Sequence, residues 1–270
     1  MRQFFANRGL NHAEHPGRFS GSTTLACLTL LLGCVIFSPP VFAAEELVLP
    51  LRLHLTRGLS LTVKDTKMEV WVKPEDVKNV LLPEVNRIWK QADIRFSIES
   101  VIEETVPASP ALDKFLADVA AFKRNNEEKG AGSPFPLAMK AVDDSKFLPS
   151  AINVYFFPYV GETLQGVSSL GGNRLMVGVW SDKSSGGRKP PQKTLLTEPE
   201  PMVIGSLART MAHELGHSLT LQHPSKQDEP KGRLMGGGKQ GYLLTPAEIT
   251  QARNSAEEHL QGGKKKRAKN

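Results

Sequence analysis

The sequence predicts an α+β fold in one sizeable domain, and three observations carry that expectation. From Leu47 to Thr56 the residues alternate, with Leu49, Leu51, Leu53 and Leu55 set against polar or small neighbours, the period-two pattern of a strand. From Pro74 onward Val77, Leu81, Val85, Ile88 and Ala92 recur at spacings of three and four, the period of an amphipathic helix. Period two then returns in Arg95–Ile102. With 270 residues and 40% hydrophobic content, the chain can bury one core of its own, and a second full domain would be cramped.

Residues 1–43 read as a signal peptide. Arg2, Arg8 and Arg18 precede an apolar run from Leu25 to Phe37, and small residues follow at Val41-Phe-Ala43, so cleavage is expected after Ala43 or Ala44. The apolar run is too short to span a bilayer stably. Both cysteines, Cys27 and Cys34, fall inside it, so the mature chain is expected to have no disulfide and no thiolate ligand. Leu31-Leu-Gly-Cys34 also has the form of a lipoprotein cleavage box, but the residues after Cys34 stay apolar where a lipid-anchored chain begins with a polar tether. The expected location is therefore secreted, in a periplasm or outside the cell, with the Cys34 anchor as the alternative. Only a few residues separate Ala43 from the first strand, too few to fill a cleft, so no removable prodomain is expected.

The formal charge of +6 is unevenly placed. Once the three Arg and one Glu of residues 1–43 are set aside, Lys264-Lys-Lys-Arg-Ala-Lys269 supplies five of the remaining positive charges and the body is close to neutral. A basic surface for nucleic acid is not implied. Residues 262–270 read as a disordered, solvated basic tail to a domain spanning 45–261.

Within that domain His54 lies on the opposite register from the leucines and reads as a surface or edge residue. Pro83 is the expected kink of the first long helix. Leu112, Phe115, Leu116, Val119 and Phe122 mark a further helix in what looks like a peripheral insertion. Ile152–Pro158 and Arg174–Trp180 read as buried strands, with the small residues of Gly161–Gly172 suiting an edge strand between them. The polar, Gly- and Pro-rich stretch Ser181–Pro201 reads as a loop. Near the C-terminus Thr245-Pro-Ala-Glu248 combines an N-cap, Pro at the first helical position and a capping-box Glu, and starts a last helix.

Between these comes Met211-Ala-His-Glu-Leu-Gly-His-Ser-Leu-Thr-Leu-Gln-His223. Ile204, Leu207, Met211 and Leu215 form one apolar stripe, and His213 and His217, four apart, leave the other side of the helix one turn from each other. Two such histidines can reach one ion, with Glu214 beside them to handle a water proton: the H-E-x-x-H arrangement of zinc peptidases. A helix continued to residue 223 would carry His223 about 9 Å past His217. The chain must therefore leave the helix first if His223 is a ligand.

His213-Glu214-x-x-His217-x-x-Thr220-x-x-His223 resembles the metzincin zinc signature at every position but the glycine, which is Thr220 here. Arg233-Leu-Met235-Gly resembles the methionine turn of that family, and the strand, long helix, strand opening extends the resemblance over most of the mature chain. The resemblance implies a twisted, mostly parallel sheet with long helices and a small C-terminal subdomain. It further implies a bound zinc ion on three histidines, Glu214 as general base, Met235 as an apolar floor, and an endopeptidase acting on protein or peptide. By the same analogy Gly166, Val167 and Ser168 are candidates for pairing with the substrate backbone. A β-branched residue in the left-handed turn that the motif glycine makes costs about 1–2 kcal/mol, so Thr220 is expected to be strained there or to use another turn. Two alternatives stay open: a secreted module that holds zinc without catalysis, and a zinc peptidase whose third ligand is a downstream carboxylate such as Glu248.

Overall fold

The structure is a computed structural model and describes residues 45–121, 135–161, 164–182, 190–197, 206–225, 232–236 and 241–267. The expected signal peptide, Cys34, Ile204 and Phe122 lie outside them. Residues from Ala44 onward form one compact unit.

Strand β1 (Leu47–Arg57) leads through a hairpin, β2 (Ser60–Val63) and β3 (Thr66–Glu69), whose turn residues Lys64 and Asp65 both have positive φ. Helix α1 (Pro74–Asp76), a π turn (Val77–Leu81), α2 (Leu82–Trp89) and a 3-10 turn (Lys90–Ala92) then run on as the predicted first helix. Pro83 has no N–H for the carbonyl four residues back. The ladder shifts register just before it, with Leu82 N–H donating to the Val77 carbonyl five residues away, so a π turn stands where a kink was expected.

Next come β4 (Ile94–Thr105), α3 (Pro110–Ala121), α4 (Phe135–Ala141), β5 (Ile152–Phe157), β6 (Gly166–Ser168) and β7 (Arg174–Gly178). A small ribbon, β8 (Trp180–Ser181) with β9 (Gln192–Lys193), precedes α5 (Leu207–Ser218), which carries His213, Glu214 and His217. The chain closes with β10 (Gly232–Arg233), β11 (Gly241–Leu243) and α6 (Pro246–Arg267). No helix among the described residues is long and apolar enough to cross a membrane.

The main sheet has the order β4-β1-β5-β7-β6. Its first four strands are parallel, and β6 is an antiparallel edge strand on β7. The architecture is thus α+β with a mostly parallel sheet. Leu49, Leu51, Leu53 and Leu55 of β1, with Val154, Phe156 and Val177, meet α2, α5 and α6 in one core. The other face is covered as well: Tyr155, Phe157 and Met176 pack against Leu112, Phe115 and Val119 of α3 and Ala138 and Ala141 of α4.

Two expectations are corrected by this arrangement. The segment around α3 is no peripheral insertion, because it closes the second face of the sheet. His54 is fully buried on that face, 3.2 Å from Asn153 Oδ1, 3.3 Å from Glu104 Oε1 and stacked on the Tyr155 ring. At the C-terminus, Leu244, Ala252 and Ala256 join the main core. Helix α6 runs from Pro246 to Arg267.

Candidate metal centre

Helix α5 is positioned from both ends. Ser206 caps its start by accepting from the Arg209 N–H at 3.2 Å, and Leu207 and Ala208 N–H groups donate to the carbonyls of Leu195 and Leu196. Its back packs into the main core through Leu207, Met211 and Leu215, and the Trp89 indole donates to the Ala212 carbonyl at 3.2 Å. Only His217 of this helix escapes full burial.

The far end explains how His223 returns. Thr220 has φ 66°; its N–H donates to the His217 carbonyl and the Leu221 N–H to the Gly216 carbonyl, each at 2.9 Å. These are the paired bonds of a Schellman motif, with Thr220 at the left-handed position that glycine usually takes. The chain thus leaves the helix at Thr220 and brings the His223 Nε2 to 3.0 Å from that of His213 and 3.1 Å from that of His217. His213, His217 and His223 form a group that could hold a metal ion, with ligand atoms all within 4.8 Å of one another.

The residues present fit a cation. His213 Nδ1 lies 2.7 Å from the Leu234 carbonyl and His217 Nδ1 2.8 Å from the Leu221 carbonyl. Each Nδ1–H therefore donates to a backbone oxygen, which leaves the Nε2 lone pairs of both rings facing His223. This is the outer-shell arrangement that fixes the tautomer of a metal-binding histidine. Three nitrogens at about 2.0–2.1 Å from a tetrahedral ion stand roughly 3.3 Å apart, close to two of the observed separations. Burial holds the His213 pKa well below its usual value, with the neighbouring His217 and Arg209 adding to the effect. Burial also lowers that of His217, against the opposing hydrogen bond to Leu221. Neutral imidazoles are the ligating form.

Met235 is fully buried beneath the helix. A Cβ at Gly216 would lie 2.5 Å from the Met235 Sδ and 3.2 Å from its Cε, so the glycine between the two helical histidines is what admits the thioether. The loop bearing Met235 is held by Arg209, one turn before His213. Its guanidinium, buried in the protein, donates to the carbonyls of Gly241 at 3.0 Å, Leu234 at 3.0 Å and Gly236 at 3.3 Å. The sequence held a signal for it, since Arg209, His213 and His217 fall at intervals of four on one helix face.

Glu214 is buried, and the Ser168 hydroxyl donates to its Oε2 at 2.5 Å. Gly166 also abuts its side chain. Gly166, Val167 and Ser168 are half-buried on the edge strand β6. Glu248 is engaged elsewhere: its carboxylate accepts from Thr245 N–H at 2.8 Å and pairs with Arg233. It caps α6 and does not stand with His213, His217 and His223 in the group that could hold a metal ion.

No protein-family model matches the chain, and no curated protein matches it. Among solved structures it is similar to metalloproteinase-II from Bacteroides fragilis, with 14% identity over 80% of this chain and a TM-score of 0.40. It is also similar to a chain in a structure of a chaperone-substrate complex, with 11% identity over 81% of this chain and a TM-score of 0.39. The chain spans 55% of the length of the first and 35% of the second.

Proposed function

We propose that the chain is an exported zinc-dependent endopeptidase of metzincin-like fold, in which His213, His217 and His223 hold the ion and Glu214 is the general base. The observation that carries this reading is the convergence of three imidazole Nε2 atoms, 3.0 and 3.1 Å apart where measured through His223, on the helix that also presents a buried carboxylate.

When bound, zinc supplies Lewis acidity that polarises a carbonyl and stabilises negative charge on its oxygen. The chain's own residues do the rest. The edge of β6 away from β7 offers backbone groups to an extended peptide. Glu214 takes a proton from the attacking water and returns it to the departing amine. The backbone carbonyls of Leu234 and Leu221 keep the imidazoles oriented, and Met235 walls the site from below. Thr220, the residue that would favour a metal-holding module without turnover, does not keep His223 away from the other two rings.

The test is metal analysis of the purified chain together with digestion of a peptide library. Stoichiometric zinc and cleavage are expected. His217→Ala should lose most of the zinc, whereas Glu214→Ala should keep zinc and fold while hydrolysis falls by at least about a hundredfold. Near-normal turnover by Glu214→Ala, or full zinc occupancy in His217→Ala, would sink the reading.

A further inference from the structure

We infer that Ser168 is a positioning residue for Glu214, fixing the carboxylate for its proton transfers; the role rests on the peptidase reading above. On a strand, alternate residues share a face. Gly166 and Ser168 of β6 both face Glu214, while Val167 packs against the cluster on the opposite side of the sheet. Ser168 Oγ donates to Glu214 Oε2 at 2.5 Å. A Cβ at Gly166 would lie 2.6 Å from Glu214 Cγ, 2.7 Å from Oε1 and 2.9 Å from Cδ. The carboxylate is thus gripped by a bare backbone wall on one side and a hydroxyl on the other.

The grip is mounted on a rigid element. Gly166 pairs with Val177, Val167 with Met176 and Ser168 with Leu175 of β7, and Leu175, Met176 and Val177 are fully buried. A glutamate has three rotatable side-chain bonds, and a donor anchored to a sheet limits them more than one on a loop would. Serine also suits the task chemically. It carries no charge to neutralise the base, and its one proton occupies one of about four acceptor positions on a carboxylate. A lysine or arginine there would hold the group as firmly and hinder it from accepting a proton.

The test compares zinc-loaded full-length protein with Ser168→Ala and Ser168→Thr by zinc content, melting temperature, kcat and KM on a cleaved peptide, and crystal structure. Ser168→Ala should retain zinc and melting temperature and lose roughly tenfold in kcat with KM within about twofold, the loss of one hydrogen bond to a charged group. Ser168→Thr should restore kcat to within about threefold of the parent. In the Ser168→Ala crystal the Glu214 carboxylate should leave its place beside Gly166. Wild-type kcat in Ser168→Ala, a Thr variant no better than Ala, or an unmoved Glu214 would each overturn the inference. If the parent protein itself cleaves nothing, the peptidase reading fails, and the position of Glu214 in the two crystals alone decides whether Ser168 holds it.

Discussion

Thr220 sits at φ 66° with a β-branched side chain, in a turn whose other members have no such difficulty. The turn persists because its surroundings over-determine it. Two 2.9 Å bonds close the helix end, Gly171 N–H adds a third to the His217 carbonyl, and Gln251 donates to the Thr220 carbonyl at 2.8 Å. Replacing Thr220 by Gly removes a left-handed penalty of about 1–2 kcal/mol and adds about 0.5–1 kcal/mol of unfolded-chain entropy. The hydroxyl's contact with Gln251, at 3.3 Å and exposed, is a minor loss. Thr220→Gly should therefore stabilise the protein by about 0.5–1 kcal/mol, a rise of about 1–4 °C in melting temperature for a domain of this size. A lower melting temperature would show that the turn tolerates Thr without strain. The departure from glycine was visible in the sequence and so was its cost. That the chain makes the glycine turn regardless follows from bonds to Gly171 and Gln251, which no spacing rule connects to residue 220.

At the scale of elements, the sequence reading succeeds where one periodicity and one local motif decide the outcome. The leucine face of β1, the helix bearing His213 and His217, and the capping box at Thr245 and Glu248 are all of this kind. It fails where the answer depends on what covers a face. Period two told His54 from the leucines of β1 but could not tell that α3 and α4 close the second side of the sheet. Arg209 is a similar case: its position on the histidine stripe is plain, but its partners lie 24 to 32 residues away on the loop around Met235. Arg209→Leu takes a donor from the carbonyls of Gly241 and Gly236, while the Leu234 carbonyl keeps the His213 Nδ1–H, and each buried carbonyl left unpaired costs about 1–3 kcal/mol. The net destabilisation is expected to be about 2–4 kcal/mol, partly relieved by the leucine's own burial. Because the Leu234 carbonyl orients His213, zinc affinity should fall along with stability. Urea unfolding and a zinc-chelator competition measure the two, and an unchanged zinc affinity would separate the loop from the metal centre.

For the whole molecule, buried titratable groups on the two faces of the sheet set opposite limits on stability. On the α5 side, burial lowers the pKa values of His213 and His217 from 6.5 in the folded state. Below pH 6.5 the unfolded chain then binds protons that the folded chain refuses. The stability is present above that value and is lost as pH falls toward the depressed values. On the other side, burial pushes the Tyr155 hydroxyl from 10.0 up to about 12, and this hydroxyl has no hydrogen-bond partner among the described residues. Its contribution is present below pH 10.0 and is lost as pH rises through about 12, because the unfolded phenol ionises first. The metal-free protein should thus show a plateau in melting temperature with an acid limb and an alkaline limb. Saturating zinc should move only the acid limb to lower pH, since protons must then compete with the ion for the imidazoles. Tyr155→Phe should flatten only the alkaline limb. Melting temperatures taken across the range, with and without zinc, check both. An acid limb that zinc leaves in place would mean that His213 and His217 are not its source, and an alkaline limb that survives Tyr155→Phe would clear Tyr155 in the same way.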